Sequence, residues 1–107
     1  MSFEPLLEDL GTVDLSGIDW MVLGGESNQV RKPAPRCDVD WIRSLLEQGQ
    51  EAGVRVFVKQ LGDHATLDGK RVHYGKNGKE MELWPEDLRV REFPLVEAPR
   101  ERGFGLP

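Results

Sequence analysis

The chain has 107 residues, 14 Lys and Arg against 19 Asp and Glu for a net charge of -5, and a single cysteine. That length supports one small domain with its own core, and one thiol excludes an intrachain disulfide framework or an all-cysteine metal or iron–sulfur site within the chain. The acidic balance argues against a phosphate-driven nucleic-acid binder; with no apolar run of ~20 residues and no secretory-leader pattern, a soluble cytoplasmic protein without a membrane partner is expected.

In chain order, a short strand is predicted over 2–4, Ser-Phe-Glu ahead of Pro5. Residues 5–19 are just long enough to cross over to a parallel neighbour, with helical turns expected around 6–10 and 15–18. The run Trp-Met-Val-Leu at 20–23 is too short for a helix and ends at Gly24 and Gly25, so it reads as a second strand. A loop over 26–37, long for a strand-to-helix connection, carries Arg31, Lys32 and Arg36.

Asp38 is a suitable N-cap for an amphipathic helix that runs to Ala52 and stops at Gly53. Ile42, Leu45, Leu46 and Gly49 fall at i, i+3, i+4 and i+7 and give it one apolar face. Gly49 costs about 1 kcal/mol against Ala in an isolated helix, and close approach to a sheet is a plausible compensation. Val-Arg-Val-Phe-Val at 54–58 is rich in β-branched residues and ends at Lys59 and Gln60, a strand parallel to the previous one through a right-handed crossover.

After Gly62 the pattern changes. Asp68-Gly69 and Asn77-Gly78 are hairpin-turn signals flanking a strand over 70–74. Pro85 opens a helical turn over 84–88, an edge strand follows over 89–93, and 97–107 is expected to be a disordered tail. The expected fold is α/β: a small parallel sheet of about three strands in partial-barrel-like βαβ units over 1–62, a short antiparallel meander and helical-turn extension over 63–96 packed on it, and the tail.

In parallel α/β sheets ligands gather at the carboxyl ends of the strands. That rule selects one rim: Glu4, Gly24, Gly25, Glu26, Ser27, Lys59 and Gln60, with Arg31 on the loop leaving it. Each member also has a structural use. The glycines serve a tight turn, Glu4 or Glu26 an ion pair with Lys59, and the basic loop a solvated surface. A ligand site at this rim requires Glu26 and Lys59 close together, with the Gly24 and Gly25 amides turned to the same space. Without a nucleophile constellation no catalytic residue is assigned, although Glu4 or Glu26 as base beside Lys59 is chemically conceivable. His64 and His73 lack metal-ligand spacing, so no metal is expected, and Cys37 reads as a buried or inert thiol despite its place before a helix N-terminus.

The segments Ser-Phe-Glu-Pro-Leu-Leu (2–7), Ile-Asp-Trp-Met-Val-Leu-Gly-Gly-Glu-Ser (18–27), Asp-Trp-Ile-Arg-Ser-Leu (40–45), Val-Phe-Val-Lys-Gln-Leu-Gly (56–62) and Trp-Pro-Glu-Asp-Leu-Arg-Val-Arg-Glu-Phe-Pro (84–94) occur in this order. Together they resemble the C-terminal half of an uncharacterised phage-associated protein family whose longer members carry an upstream cysteine cluster like that of radical-SAM iron–sulfur proteins. The resemblance implies S-adenosylmethionine and an iron–sulfur cluster for those longer members only; for this chain it implies no cofactor. It also implies late strands of a partial (β/α) barrel, in which the rim residues Glu4, Pro5, Gly24, Gly25, Glu26, Ser27, Lys59 and Gln60 would be remnants of a cosubstrate site. Asn28-Gln29-Val30 departs from the glycine-rich stretch expected after Gly-Gly-Glu-Ser. The expected role is a non-catalytic part of a larger assembly, as a homo-oligomer or with a partner chain; the alternative is an independent module binding a small anionic or nucleotide-like ligand at the rim.

Overall fold

The structure, a computed structural model, describes residues 1–94. The expected tail over 97–107 lies outside them. The elements are β1 (Ser2–Phe3), β2 (Trp20–Gly24), β3 (Cys37–Asp38), α1 (Val39–Glu51), β4 (Arg55–Gln60), β5 (Ala65–Leu67) and β6 (Lys70–Val72), followed by three single 3-10 turns. β1, β2 and β4 form an all-parallel sheet in that order, with Val22 registered against both Ser2 and Phe57.

Alternation along β2 and β4 buries Met21, Leu23, Val56 and Val58 completely against α1, whose own buried face is Val39, Ile42, Leu45, Leu46 and Gly49. The helix starts where the Asp38 carboxylate accepts the Asp40 amide at 2.9 Å. Gly49 does what its position suggested. A Cβ there would sit 2.7 Å from Met21 Sδ and 2.8 Å from Val56 Cγ2, so only glycine lets the helix lie this close to the sheet.

The crossover from β1 to β2 differs from expectation. Residues 6–10 form no helical turn, because the Leu6 amide donates to Gly24 O at 2.8 Å and Leu6 alone is buried while Leu7 and Leu10 face solvent. Around 15–18 there is a single turn closed by Ile18 N–H to Leu15 O. The segment is fastened instead by Gln48 of α1, whose Oε1 accepts from Val13 N and whose Nε2 donates to Gly11 O.

A second sheet has the order β3-β5-β6. β5 and β6 form the expected hairpin, with positive φ at Asp68 and Gly69. β3 is unforeseen: the end of the long loop is a two-residue strand parallel to β5. β6 stops at Val72, short of the expected Tyr74, and Asn77-Gly78 closes no hairpin; it lies in the 3-10 turn Lys76–Gly78, where Gly78 O accepts from Leu61 N. The turn after Pro85 is the 3-10 turn Glu86–Leu88. Residues 90–92 follow β4 antiparallel through Val58 N–H to Val90 O and Glu92 N–H to Val56 O, one bridge rather than a full strand, and they close that edge. One core joins both sheets, from Met21 and Leu23 through Leu61 and Tyr74 to Trp84 and Leu88. Among the described residues no strand pairs with the outer edge of β1, and no helix is long and apolar enough to cross a membrane.

Candidate functional site

The pleat of β4 divides the rim into two environments. Gln60 points to the covered side with Val56 and Val58, whereas Lys59 shares the other side with Arg55 and Phe57. On the covered side Gln60 Nε2 donates to Gly25 O at 2.9 Å and to Ser27 Oγ at 3.0 Å, and Gly25 N donates back to Gln60 O. A Cβ on Gly25 would lie 2.5 Å from Leu61 O, and one on Gly24 3.1 Å from Gln60 O. The Gly-Gly pair therefore admits backbone to backbone. Gly24, Gly25, Ser27 and Gln60 brace β2 against β4, and the Gly25 amide is consumed there.

On the other side Lys59 Nζ donates to Glu4 Oε1 at 3.1 Å. Glu26 is not its partner; the Glu26 side chain accepts a 3.4 Å hydrogen bond from Gln29 Nε2. Arg31 stands on a tight turn closed by reciprocal Gln29 and Lys32 backbone hydrogen bonds, next to the fully exposed Val30. Arg36 leaves the expected basic group: it bonds Asp38 and Thr66 and its guanidinium lies 5.0 Å from the Trp41 ring centroid. The structure thus joins Glu4 to Lys59 and Gly25 and Ser27 to Gln60, and leaves Glu26 and Arg31 apart from both groups. The expected Glu26–Lys59 proximity and the shared ligand-facing amides are not what forms.

Asp63 organises the loops around the rim, a role that the sequence pattern does not single out. Asp63 accepts from Asn28 N at 2.6 Å and Asn77 N at 2.8 Å, while its own amide donates to Glu26 O. This carboxylate ties the loop after β2 to the Lys76–Gly78 turn. Its sequence signal is an Asp just after Gly62, beyond the end of β4, a residue type that bonds nearby backbone amides in turns. Cys37 is buried, and that burial, reinforced by the neighbouring Asp38 charge, pushes its thiol up to about 12 despite the adjacent helix N-terminus. It is an inert packing thiol.

The face of the first sheet opposite α1 carries a basin of about 500 Å³ lined by Glu4, Trp20, Val22, Phe57, Lys59, Lys79, Arg91 and Phe93. Phe57 meets Trp20 and Phe93 edge-on at 6.4 and 5.4 Å. Arg91 lies 5.0 Å over Phe57 and is fixed by donation to Val58 O and, at 2.7 Å, to Lys59 O. A larger dent of about 660 Å³ between residues 12–19 and the end of α1 is lined by Asp14, Asp19 and Glu51, but it lies at the amino ends of the strands, away from the rim that parallel sheets use for ligands. Among the described residues no three His, Cys, Asp or Glu side chains gather as metal ligands.

A family model described as a protein of unknown function, DUF5131, matches residues 1–86. The chain belongs to the DUF5131 family. The DUF5131 match takes in both sheets, α1 and the Glu4–Lys59 pair, whereas Arg91 and Phe93 at the margin of the basin follow it. No curated protein and no solved structure matches the chain.

Proposed function

We propose that this DUF5131 chain is non-catalytic alone and acts as part of a larger assembly, through the open face of its parallel sheet and the free edge of β1, with a second copy as the simplest partner. What supports this reading is the half-exposure of Trp20, Val22 and Phe57 on the face opposite α1. All-parallel sheets are covered on both faces, and an unpaired strand edge is a ready template for association. The phage association and the radical-SAM-like longer relatives belong to the motif resemblance; in that reading the same open face is turned inward in a partial barrel completed by another half. Sedimentation equilibrium over a wide concentration range tests the proposal. Concentration-dependent association is expected; a well-folded monomer at high concentration, with high thermal stability, would show that the chain needs no covering partner.

A second reading is favoured by the cations around the basin. Here the chain is a module that holds a small anionic or nucleotide-like ligand, not at the rim site that needed Glu26 beside Lys59 but in the basin of the open face, with Lys59 and Glu4 at its margin. Resonance shifts at Lys59 and its neighbours on adding inorganic phosphate or an organic phosphate support this reading, and spectra unchanged by both refute it.

A further inference from the structure

We infer that the basin takes a planar anion, an aromatic ring bearing a carboxylate, sulfonate or phosphate group; this rests on the second reading above and specifies its ligand. Two independent properties of the lining point there. The first is shape and polarity. Trp20, Val22, Phe57 and Phe93 supply ring and aliphatic surface, and the rings are held in place: Trp20 Nε1 donates to Glu92 O at 2.8 Å, and Phe57 is fixed between Trp20, Phe93 and the Arg91 guanidinium. Prepositioned aromatic walls favour a flat, polarizable ring that packs edge-on or offset against them. A basin of about 500 Å³ falls in the range of small-molecule sites.

The second property is charge. The lining holds Lys59, Lys79 and Arg91 against Glu4 alone, in a chain whose net charge is -5. Local charge therefore runs opposite to the whole, which concentrates anions at this spot. Arg91 spends hydrogen bonds on Val58 O and Lys59 O, and Lys59 is paired with Glu4, so both heads are positioned by the protein. Among the described residues Lys79 has no carboxylate within ion-pair distance and is the cation best placed to meet a ligand's charge. Ring and anion must be joined in one molecule to use both halves of the lining.

Nuclear magnetic resonance titration of the isotope-labelled full chain, repeated at two protein concentrations to separate self-association, tests this with phenyl phosphate, inorganic phosphate and phenol. Phenyl phosphate is expected to shift the Trp20 indole N–H and the Val22 and Phe57 amides, to bind about tenfold more tightly than either fragment, and to weaken about fivefold in Lys79→Gln. Inorganic phosphate binding at the basin as tightly as phenyl phosphate would overturn the planar-anion inference and leave the anion-binding reading standing. Phenol binding as tightly as phenyl phosphate, or no shifts at the basin with any probe, would overturn both.

Discussion

The two faces of the first sheet are built from the same strands, yet Val22 and Leu23, adjacent in sequence, live in different surroundings. Leu23 is wholly excluded from solvent beneath α1, while Val22 is half-exposed beside Trp20 and Phe57. The difference shows where the chain's own stability is made and where its surface remains to be used. α1 closes one face through Ile42, Leu45, Leu46 and the glycine-permitted contact at Gly49; among the described residues the other face receives Arg91 and Phe93 from the segment along β4, with Lys79 beside them.

The contrast is sharpest between Leu23→Ala and Val22→Ala. Leu23→Ala is expected to lose roughly 2–5 kcal/mol in denaturant unfolding, since it opens a cavity in a closed core, and Val22→Ala under about 1 kcal/mol. Equal losses would show that the open face is already packed as a core. Gly49→Ala tests the closeness of the covered face. Helix propensity gains about 1 kcal/mol, but the new methyl meets the branched, stiff Val56 as well as the pliable Met21 sulfur, so a net loss of about 1–2 kcal/mol is expected. A stabilised Gly49→Ala would mean that the helix stands off the sheet.

Asp63→Ala removes one acceptor from two loop amides. Hydrogen exchange at Asn28 and Asn77 should accelerate by about tenfold or more, with little change in α1 amides; unchanged exchange would remove Asp63 as the brace. The smallest effect belongs to Asp87. Its hydrogen bond from Arg43 holds the carboxyl below its ordinary value, so the pair contributes stability above about pH 4 and loses it as pH falls through the depressed folded value. Because Asp87 is 52% exposed, Asp87→Asn should cost no more than about 1 kcal/mol at neutral pH, and the difference from wild type should vanish in acid.

The strand–helix–strand unit was legible because its signals are local and strong: an N-cap, an apolar stripe at helical spacing, and two short apolar runs ending at Gly24 and Lys59. In the second sheet the β5–β6 hairpin was legible from Asp68-Gly69, but β3 was not, since Cys37 and Asp38 make too short a strand for any period, and their pairing with Ala65 and Thr66 is set by tertiary contact. The division of the rim is also written in the sequence of β4. Arg55, Phe57 and Lys59 alternate with Val56, Val58 and Gln60, and that period of two already separates Lys59 from Gln60. The choice of Glu4 over Glu26 as partner of Lys59 follows from register rather than alternation: Ser2, Val22 and Phe57 lie level, so Glu4 and Lys59, each two residues on, are level too, whereas Glu26 lies four residues past Val22 and beyond the register irregularity between Leu23 and Gly24.

The most direct test of the open face as an association surface is sedimentation equilibrium of Val22→Asp beside the wild-type chain, with circular dichroism to confirm folding. A charge at Val22 should leave the helix-covered core intact and abolish self-association, giving a folded monomer where the wild type associates. Unaltered association in Val22→Asp, or a wild-type chain that stays monomeric and thermally stable at every concentration, would contradict the account.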